Sequence, residues 1–252
     1  MPDSLQWILA SYPRTREPLP PRHAELYIDE YRRNREGGKG LPAVVAGLES
    51  WMHRRIATEI PECRILELGG GTLNHVPYEK SFKTYDVVEP FRDLWENSPY
   101  RNVVSAIYED IAQVQDRARY DRIVSVAVLE HLTELPLVMS SCGLLLADGG
   151  EFRAGIPSEG GLLWGLSWRL TTGISFKVRT GLSYSVIMRH EHVNTADEIV
   201  AVAQYLFRCV RVHRFPLPTK HLSFYTFLCA SDPCLDRCRG CAQTEAKPNH
   251  EL

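Results

Sequence analysis

The sequence predicts an α/β protein: a doubly wound, mostly parallel, seven-stranded Rossmann-like sheet with one antiparallel strand and an N-terminal helical cap. Three observations predict it. From Arg64 onward, short apolar runs alternate with helix-like stretches, the rhythm of strand–helix–strand units. The run Ile123–Val128 is almost wholly apolar, as a central parallel strand covered on both faces must be. The last two strand-like runs are joined by only a short Pro-containing loop, which fits an antiparallel closing pair.

Residues 1–22 read as a loosely ordered arm carrying Pro13, Pro18, Pro20 and Pro21. A helical pattern follows from Arg22 to Arg35, with Leu26, Tyr27 and Tyr31 near one face, until Gly37, Gly38 and Gly40 break it. A second amphipathic helix sets Leu41, Val44, Val45, Leu48, Trp51, Met52 and Ile56 at three- and four-residue steps, with Pro42 near its start. Strands are expected at Arg64–Leu68, Thr84–Glu89, Val103–Tyr108 and Ile123–Val128. An apolar helix over 135–146 carries Pro136 in its first turn, and Asp148-Gly149-Gly150 turns the chain into a fifth strand, Glu151–Ile156.

The stretch 157–193, with Trp164, Trp168, Phe176 and Tyr184, breaks the rhythm and reads as an insertion over the sheet edge. Thr195-Ala196-Asp197-Glu198 is a capping box for a helix at 195–207, whose buried side is Ile199, Val200, Val202, Ala203, Leu206 and Phe207. Val210–Phe215 and Ser223–Cys229 are the last two strands. The organisation expected is an arm and cap over 1–59, one domain with its insertion over 60–230, and a polar, cysteine-containing tail over 231–252.

A chain of 252 residues suits one such domain. Its net charge of -2 and scattered arginines give no support for nucleic-acid or membrane binding. No run approaches the roughly 20 apolar residues that span a bilayer, and Met1–Pro21 has no apolar core of a secretory signal. The seven cysteines, an odd number, are therefore expected as reduced thiols of a cytoplasmic protein.

The first strand runs into Glu67-Leu68-Gly69-Gly70-Gly71-Thr72. Ligands of open α/β sheets bind beyond the carboxyl ends of the strands, and a glycine turn lets the backbone approach them closely. Taken alone, this loop is equally a tight turn with no ligand. Spacing adds to it. Glu89 ends the second strand and Glu109-Asp110 the third, so that Glu67, Glu89 and Asp110 follow one another at nearly equal intervals. A carboxylate at Glu89 suits both ribose hydroxyls of an adenosine. One at Asp110 suits the exocyclic amine of adenine, with Pro90, Phe91 and Ile111 to sandwich the ring. A dinucleotide fold needs a third glycine where this chain has Asn74, and a helix N-terminus for the pyrophosphate, whereas Pro77 keeps the next helix short. An adenosine with a cationic end fits better. The sulfonium of S-adenosyl-L-methionine (SAM) suits an acidic rim of Glu67, Glu89 and Asp110.

At these residues the sequence resembles the class I SAM-dependent methyltransferases, in the small-molecule branch (methyltransferase type 11) that includes the ubiquinone-biosynthesis O-methyltransferases. The resemblance spans about residues 60–230. It rests on Leu66-Glu67-Leu68-Gly69-Gly70-Gly71, Tyr85-Asp86-Val87-Val88-Glu89-Pro90, Glu109-Asp110-Ile111 and Leu144–Gly150. Most specific is Tyr120–Leu132, an apolar strand that runs into Leu129-Glu130-His131. It implies that Glu67, Gly69, Gly70 and Gly71 line the methionine and ribose side of SAM. It also implies that Glu89 holds the ribose, that Glu109, Asp110 and Ile111 surround the adenine, and that Val126 and Ala127 offer backbone near the methionine. His131 would lie beside the acceptor. The chain departs from the family at Leu73, where a third glycine is usual, so the path of the loop is the open point.

His131 is the candidate general base, its alternative being to orient the helix that follows. Glu130 reads as structural or as a cofactor-side contact. His190 and His192 are two apart and share a face if the segment is extended, which makes them substrate-binding or surface groups ahead of a metal pair. No metal is expected, and Ser125 stands where a metal-dependent catechol-type enzyme needs an acid. Tyr27 and Tyr31 either lid the cofactor or pack the cap. Trp164, with Trp168 and Tyr184, either walls an acceptor pocket or belongs to the insertion's core. Cys229, Cys234, Cys238 and Cys241 form either a four-thiolate zinc site or a thiol-rich tail. The function expected is methyl transfer to oxygen, ahead of nitrogen, of a small molecule such as a sugar or natural-product intermediate. The alternatives are an NAD(P)-dependent oxidoreductase and a non-catalytic SAM-binding protein.

Overall fold

The computed structural model describes residues 3–27, 43–57, 62–115 and 119–244. Its centre is one seven-stranded sheet in the order β3-β2-β1-β4-β5-β7-β6. The strands are β1 Arg64–Leu68, β2 Thr84–Val88, β3 Ala106–Tyr108, β4 Tyr120–Val126, β5 Leu146–Pro157, β6 Phe207–Pro216 and β7 Ser223–Pro233. β1 through β5 pair in parallel, and β7 runs antiparallel to both of its neighbours, β5 and β6. The expected mostly parallel sheet with one antiparallel strand is what the chain forms.

The sequence fits this sheet locally. β4 sits at the middle, and its Ile123 and Val124 are fully buried, one toward each face. Each such side chain contributes about 1.5–3 kcal/mol by leaving water. One face packs on the helices Leu135–Leu145 and Ala196–Leu206. The second begins with the expected capping box, Thr195 and Glu198 bonding each other's backbone amides. The other face is covered by the helix Ala43–Ile56 through Met52 and Ile56. That helix lies so close that a Cβ on Gly155 of β5 would stand 2.5 Å from Ile56 Cδ1. β3 is shorter than expected because Arg101–Val103 closes a 3₁₀ turn before it.

Three expectations are corrected. The N-terminal arm is not loose. It starts with a helix, Asp3–Ala10, whose Ile8 and Leu9 pack with Tyr12 on the core. Arg14 then pairs with Glu198 at 2.6 Å, and its amide bonds the carbonyl of Thr133. These tertiary bonds offset the absence of local regularity. The polar tail is likewise structured: β7 continues to Pro233, and the helix Leu235–Thr244 buries Cys238 completely. Only Cys238 and Cys241 face the core from an otherwise largely polar segment, which hid its apolar side. The insertion folds as the α-helices Leu162–Trp168, Ile174–Thr180 and Tyr184–Glu191, the first two joined by a π-helical turn, Arg169–Gly173, above the carboxyl ends of the strands rather than at an edge. Tyr31 and the C-terminal part of the first expected cap helix lie outside the described residues; 21–27 are helical. Among the described residues no helix is long and apolar enough to cross a membrane.

Candidate functional site

The glycine loop after β1 is tied to the end of the neighbouring strand β2. Gly69 N donates to Val88 O at 2.8 Å, and Gly71 N donates to Glu89 Oε2 at 2.8 Å. Gly69 has φ +68°, and a Cβ there would stand 2.3 Å from Val128 Cγ2. No other residue fits without displacing Val128. Leu73, the departure from the family pattern, has φ 65°, so it follows the left-handed path that a glycine would take. That conformation costs a non-glycine residue about 1–2 kcal/mol. Complete burial of the leucine side chain offsets it by about 1.5–3 kcal/mol. The chain then makes a single 3₁₀ turn, Val76–Tyr78, with Pro77 at its start. This turn is the only helical segment between the loop and β2.

Two cavities adjoin beyond the strand ends. One, of about 400 Å³, is lined by Glu89, Pro90, Phe91, Glu109, Asp110 and Ile111. The second, of about 370 Å³, is lined by Gly70, Gly71, Val126, Ala127, Trp164 and His192, with Glu130 and His53. Tyr27, Gly69, Val128, His131 and Glu191 border both. The structure thus brings together most residues that the sequence singles out. Two are not brought in. Strand alternation turns Glu67 to the same face as Ile65, beneath the loop. There it is buried, bonded by Tyr85 OH at 2.8 Å, and lines neither cavity. Burial pushes its carboxyl pKa up, against the lowering effect of His75. His190 is the other. Its segment is helical rather than extended, so it diverges from His192. Its Nδ1 lies 2.7 Å from the carbonyl of Glu17, and it lines neither cavity.

In the first cavity the acids are pre-oriented by backbone. Glu89 also accepts from Phe91 N at 3.0 Å, and Asp110 Oδ1 accepts from Ala112 N at 2.7 Å. Each carboxylate oxygen keeps lone-pair capacity for a ligand. Phe91 is 56% exposed at the rim.

The second cavity holds two histidine–glutamate pairs. His131 Nδ1 lies 3.1 Å from Glu191 Oε2. His192 Nδ1 lies 2.9 Å from Glu159 Oε2, which also accepts from the indole of Trp164. The two imidazoles meet edge-on with centroids 4.8 Å apart. Tyr27 OH donates to Glu191, and the Arg16 guanidinium donates to the carbonyls of His131, His190 and Glu191. Burial would lower the pKa of His131, but Glu191 and Glu130 outweigh it and hold it above the usual histidine value. Burial raises Glu191, and the bond to His131 with the charge beside it overrides this, bringing it to about 2. His53 closes the far side. Its Nδ1 is 3.0 Å from His75 Nδ1, and His75 Nε2 is 3.1 Å from Glu79, which binds the buried Arg122.

Sequence reasoning missed Arg16, His53, Glu159 and Glu191. Glu191 was visible in the run Arg189-His190-Glu191-His192 but not its direction. Arg16 carries no local signal. All seven cysteines are free, Cys229 Sγ accepts from Arg211, and Cys238 is in the core. Among the described residues they form no group of three or more metal ligands.

No family model and no curated protein matches the chain. Solved structures do match it. One is a protein from Bordetella parapertussis described as a possible exported protein, at TM-score 0.55 and 12% identity, covering 91% of this chain and 79% of that one. The N-methyltransferase NodS from Bradyrhizobium japonicum WM9 matches at TM-score 0.49 and 14% identity, over 75% of this chain and 96% of that one. Magnesium protoporphyrin IX methyltransferase from Synechocystis PCC 6803, with bound S-adenosylhomocysteine, matches at TM-score 0.49 and 13% identity, over 83% and 96%. These are likenesses of fold. The fold is Rossmann-like, as its strand order and single antiparallel strand already show.

Proposed function

We propose that the chain is a SAM-dependent methyltransferase that moves a methyl group to an oxygen, ahead of a nitrogen, of a small molecule. The observation that carries this reading is the meeting of two cavities at Gly69, Val128 and His131. An adenosine in the first, with its ribose on Glu89 and its amine on Asp110, directs a methionine chain along Gly70 and Gly71 into the second. The sulfonium methyl then points toward His131. Transfer is an in-line displacement at carbon, and the protein's main contribution is to align nucleophile, methyl and sulfur. His131 is the catalytic contact to the acceptor: Glu191 commits its Nδ1, which leaves Nε2 for the reacting side. Tyr27, bonded to Glu191, covers the junction.

The acceptor cavity is walled by Met52, Trp164, Trp168, Ile187 and Met188 on one side and by His131 and His192 on the other. That combination favours a ring with an apolar face and a hydroxyl, as in a sugar or natural-product intermediate. The single 3₁₀ turn after the loop speaks against the oxidoreductase reading, because no helix terminus awaits a pyrophosphate. The seven free thiols suit a cytoplasmic setting. The experiment is a melting series with S-adenosylhomocysteine and with NADH. Ligand at 100 times its Kd stabilises by about 2.7 kcal/mol. S-adenosylhomocysteine is expected to raise the melting temperature and NADH to leave it unchanged, and Glu89→Ala should weaken the homocysteine ligand about 10-fold or more. Stabilisation by NADH alone refutes the reading. Binding of S-adenosylhomocysteine without turnover across hydroxyl and amine acceptors favours a non-catalytic SAM-binding protein.

A further inference from the structure

Glu130 lines the acceptor cavity, is 1% exposed, and its Oε2 has no hydrogen-bond partner among the described residues. A buried carboxylate oxygen left unpartnered is costly and calls for a cation or a donor. Two imidazoles stand beside it. Both present the same arrangement: Nδ1 is held by a carboxylate, Glu191 for His131 and Glu159 for His192. In the neutral imidazole this places the ring proton on Nδ1 and the lone pair on Nε2, and an ion bound there displaces any second proton. Histidines that bind metals are held in this way, with the second ring N–H donated to a carboxylate that sets tautomer and orientation.

The three side chains also converge. Glu130, His131 and His192 each offer a ligand atom, and these atoms lie within 4.8 Å of one another. The pair Glu130 Oε1 and His131 Nε2 is 3.7 Å apart. Ligands about 2.1 Å from a tetrahedral ion are about 3.4 Å from each other, so the widest pair needs to close by roughly 1.4 Å. Rotations of the glutamate and imidazole side chains cover that distance. Two imidazole nitrogens and one carboxylate oxygen favour a divalent first-row transition ion over magnesium or calcium, which prefer all-oxygen sites.

We infer that Glu130, His131 and His192 bind one divalent transition-metal ion in the acceptor cavity, with Glu191 and Glu159 orienting the imidazoles. This departs from the expectation of no metal. That expectation weighed His190 with His192, whereas the partners of His192 come from the end of β4, far earlier in the chain. The ion's role rests on the methyl-transfer reading. It takes the acceptor hydroxyl oxygen as a further ligand, and the hydroxyl proton leaves to water. The oxygen lone pair forms the new O–CH₃ bond while the S–CH₃ pair stays on sulfur. His131 then acts on the acceptor through the ion.

The test strips the full chain with a chelator and titrates it with Co²⁺, followed by calorimetry and visible absorption. One equivalent is expected, without thiolate charge-transfer bands. Glu130→Gln and His192→Ala should each weaken Co²⁺ by at least 10-fold. Glu159→Gln, which leaves all three ligands in place, should weaken it about 10- to 100-fold. His190→Ala should not change it. The Glu159→Gln result stands in for any ligand variant that fails to fold. No Co²⁺ uptake, uptake unchanged in these variants, or thiolate bands from the seven cysteines overturns the inference. S-adenosylhomocysteine titrated into the stripped chain separates the two readings. If it binds and Co²⁺ does not, the ion site fails and the cofactor site stands. If Co²⁺ binds and it does not, the ion site stands without its role in methyl transfer.

Discussion

Lowering the pH should destabilise this protein through His53, and the size of the effect can be worked from its surroundings. His53 is 3% exposed and stacks on Tyr78, with ring planes 8° apart. Its Nδ1 faces His75 Nδ1 at 3.0 Å. Whichever ring donates, a second proton on His53 must sit in a buried imidazole pair. Burial first, and then His75, bring its pKa from 6.5 down to about 3. The folded value lies below the unfolded one. Between them the unfolded chain binds a proton that the folded chain refuses, so stability falls as pH drops through that window. Each unit is worth about 1.4 kcal/mol, so the loss is about 2 kcal/mol at pH ~5 and about 4 kcal/mol near pH ~3. Against a typical stability of about 5–15 kcal/mol this is large. The assay is urea unfolding from pH 7.5 to 5 for the wild type and His53→Asn, which keeps a hydrogen-bonding atom near the Nδ1 position but does not titrate in this range. Contributions from histidines that do not touch His53 cancel in the difference. By the same linkage, the variant's deficit should shrink by about 2 kcal/mol between the two ends of that range. A difference that stays flat across it refutes the reasoning.

Gly69→Ala adds a Cβ at a left-handed position and 2.3 Å from Val128 Cγ2. It should cost about 1–2 kcal/mol of stability and weaken S-adenosylhomocysteine about 10-fold or more by calorimetry, because Val128 borders both cavities. Glu198→Gln removes the charge that binds Arg14 and closes the cap of the helix Ala196–Leu206, for about 1–2 kcal/mol at neutral pH. Burial raises the Glu198 carboxyl, but Arg14 and the Thr195 bonds bring it below its usual 4.5. Its contribution is present above the unfolded value and lost as pH falls through the folded one, so the gap to wild type should narrow below pH ~4.5 in melting curves. His131→Ala should lower turnover by about 100-fold or more with less than a 3-fold change in S-adenosylhomocysteine affinity. Turnover at the wild-type rate removes His131 from the reaction.

The sheet was legible because its signals are local. β1 is bounded by Arg64 and a glycine turn, β4 by its apolar run, and the helix Ala196–Leu206 by its capping box. What escaped is held by contacts distant in sequence. The prolines of the N-terminal arm suggested looseness, and contacts distant in sequence order it: Ile8, Leu9 and Tyr12 on the core, and bonds to Glu198, Thr133 and the carbonyl of His131. The helix Leu235–Thr244 was hidden by charged residues around a few apolar positions that pack on the helix Leu135–Leu145. Glu67 was misread for a simpler reason. It stands at the right strand end, but period-two alternation turns its side chain under the loop, where Tyr85 receives it.

The two halves of the site differ in the same way. Glu89 and Asp110 could be read from spacing because parallel strands of similar length deliver their ends to one edge of the sheet. The acceptor side has no such regularity. His131 comes from the end of β4, His192 and Glu191 from the end of an inserted helix, Glu159 from the turn after β5, and Arg16 from the arm. Each is fixed by a partner from another segment: His131 by Glu191, His192 by Glu159, and the carbonyls of both helix ends by Arg16. Loss of Arg16 should therefore loosen the histidine pair without touching the acids of the first cavity. On the proposed methyl-transfer reading, a fold that sets the adenosine half by strand geometry and the acceptor half by an insertion can change its acceptor while keeping its cofactor.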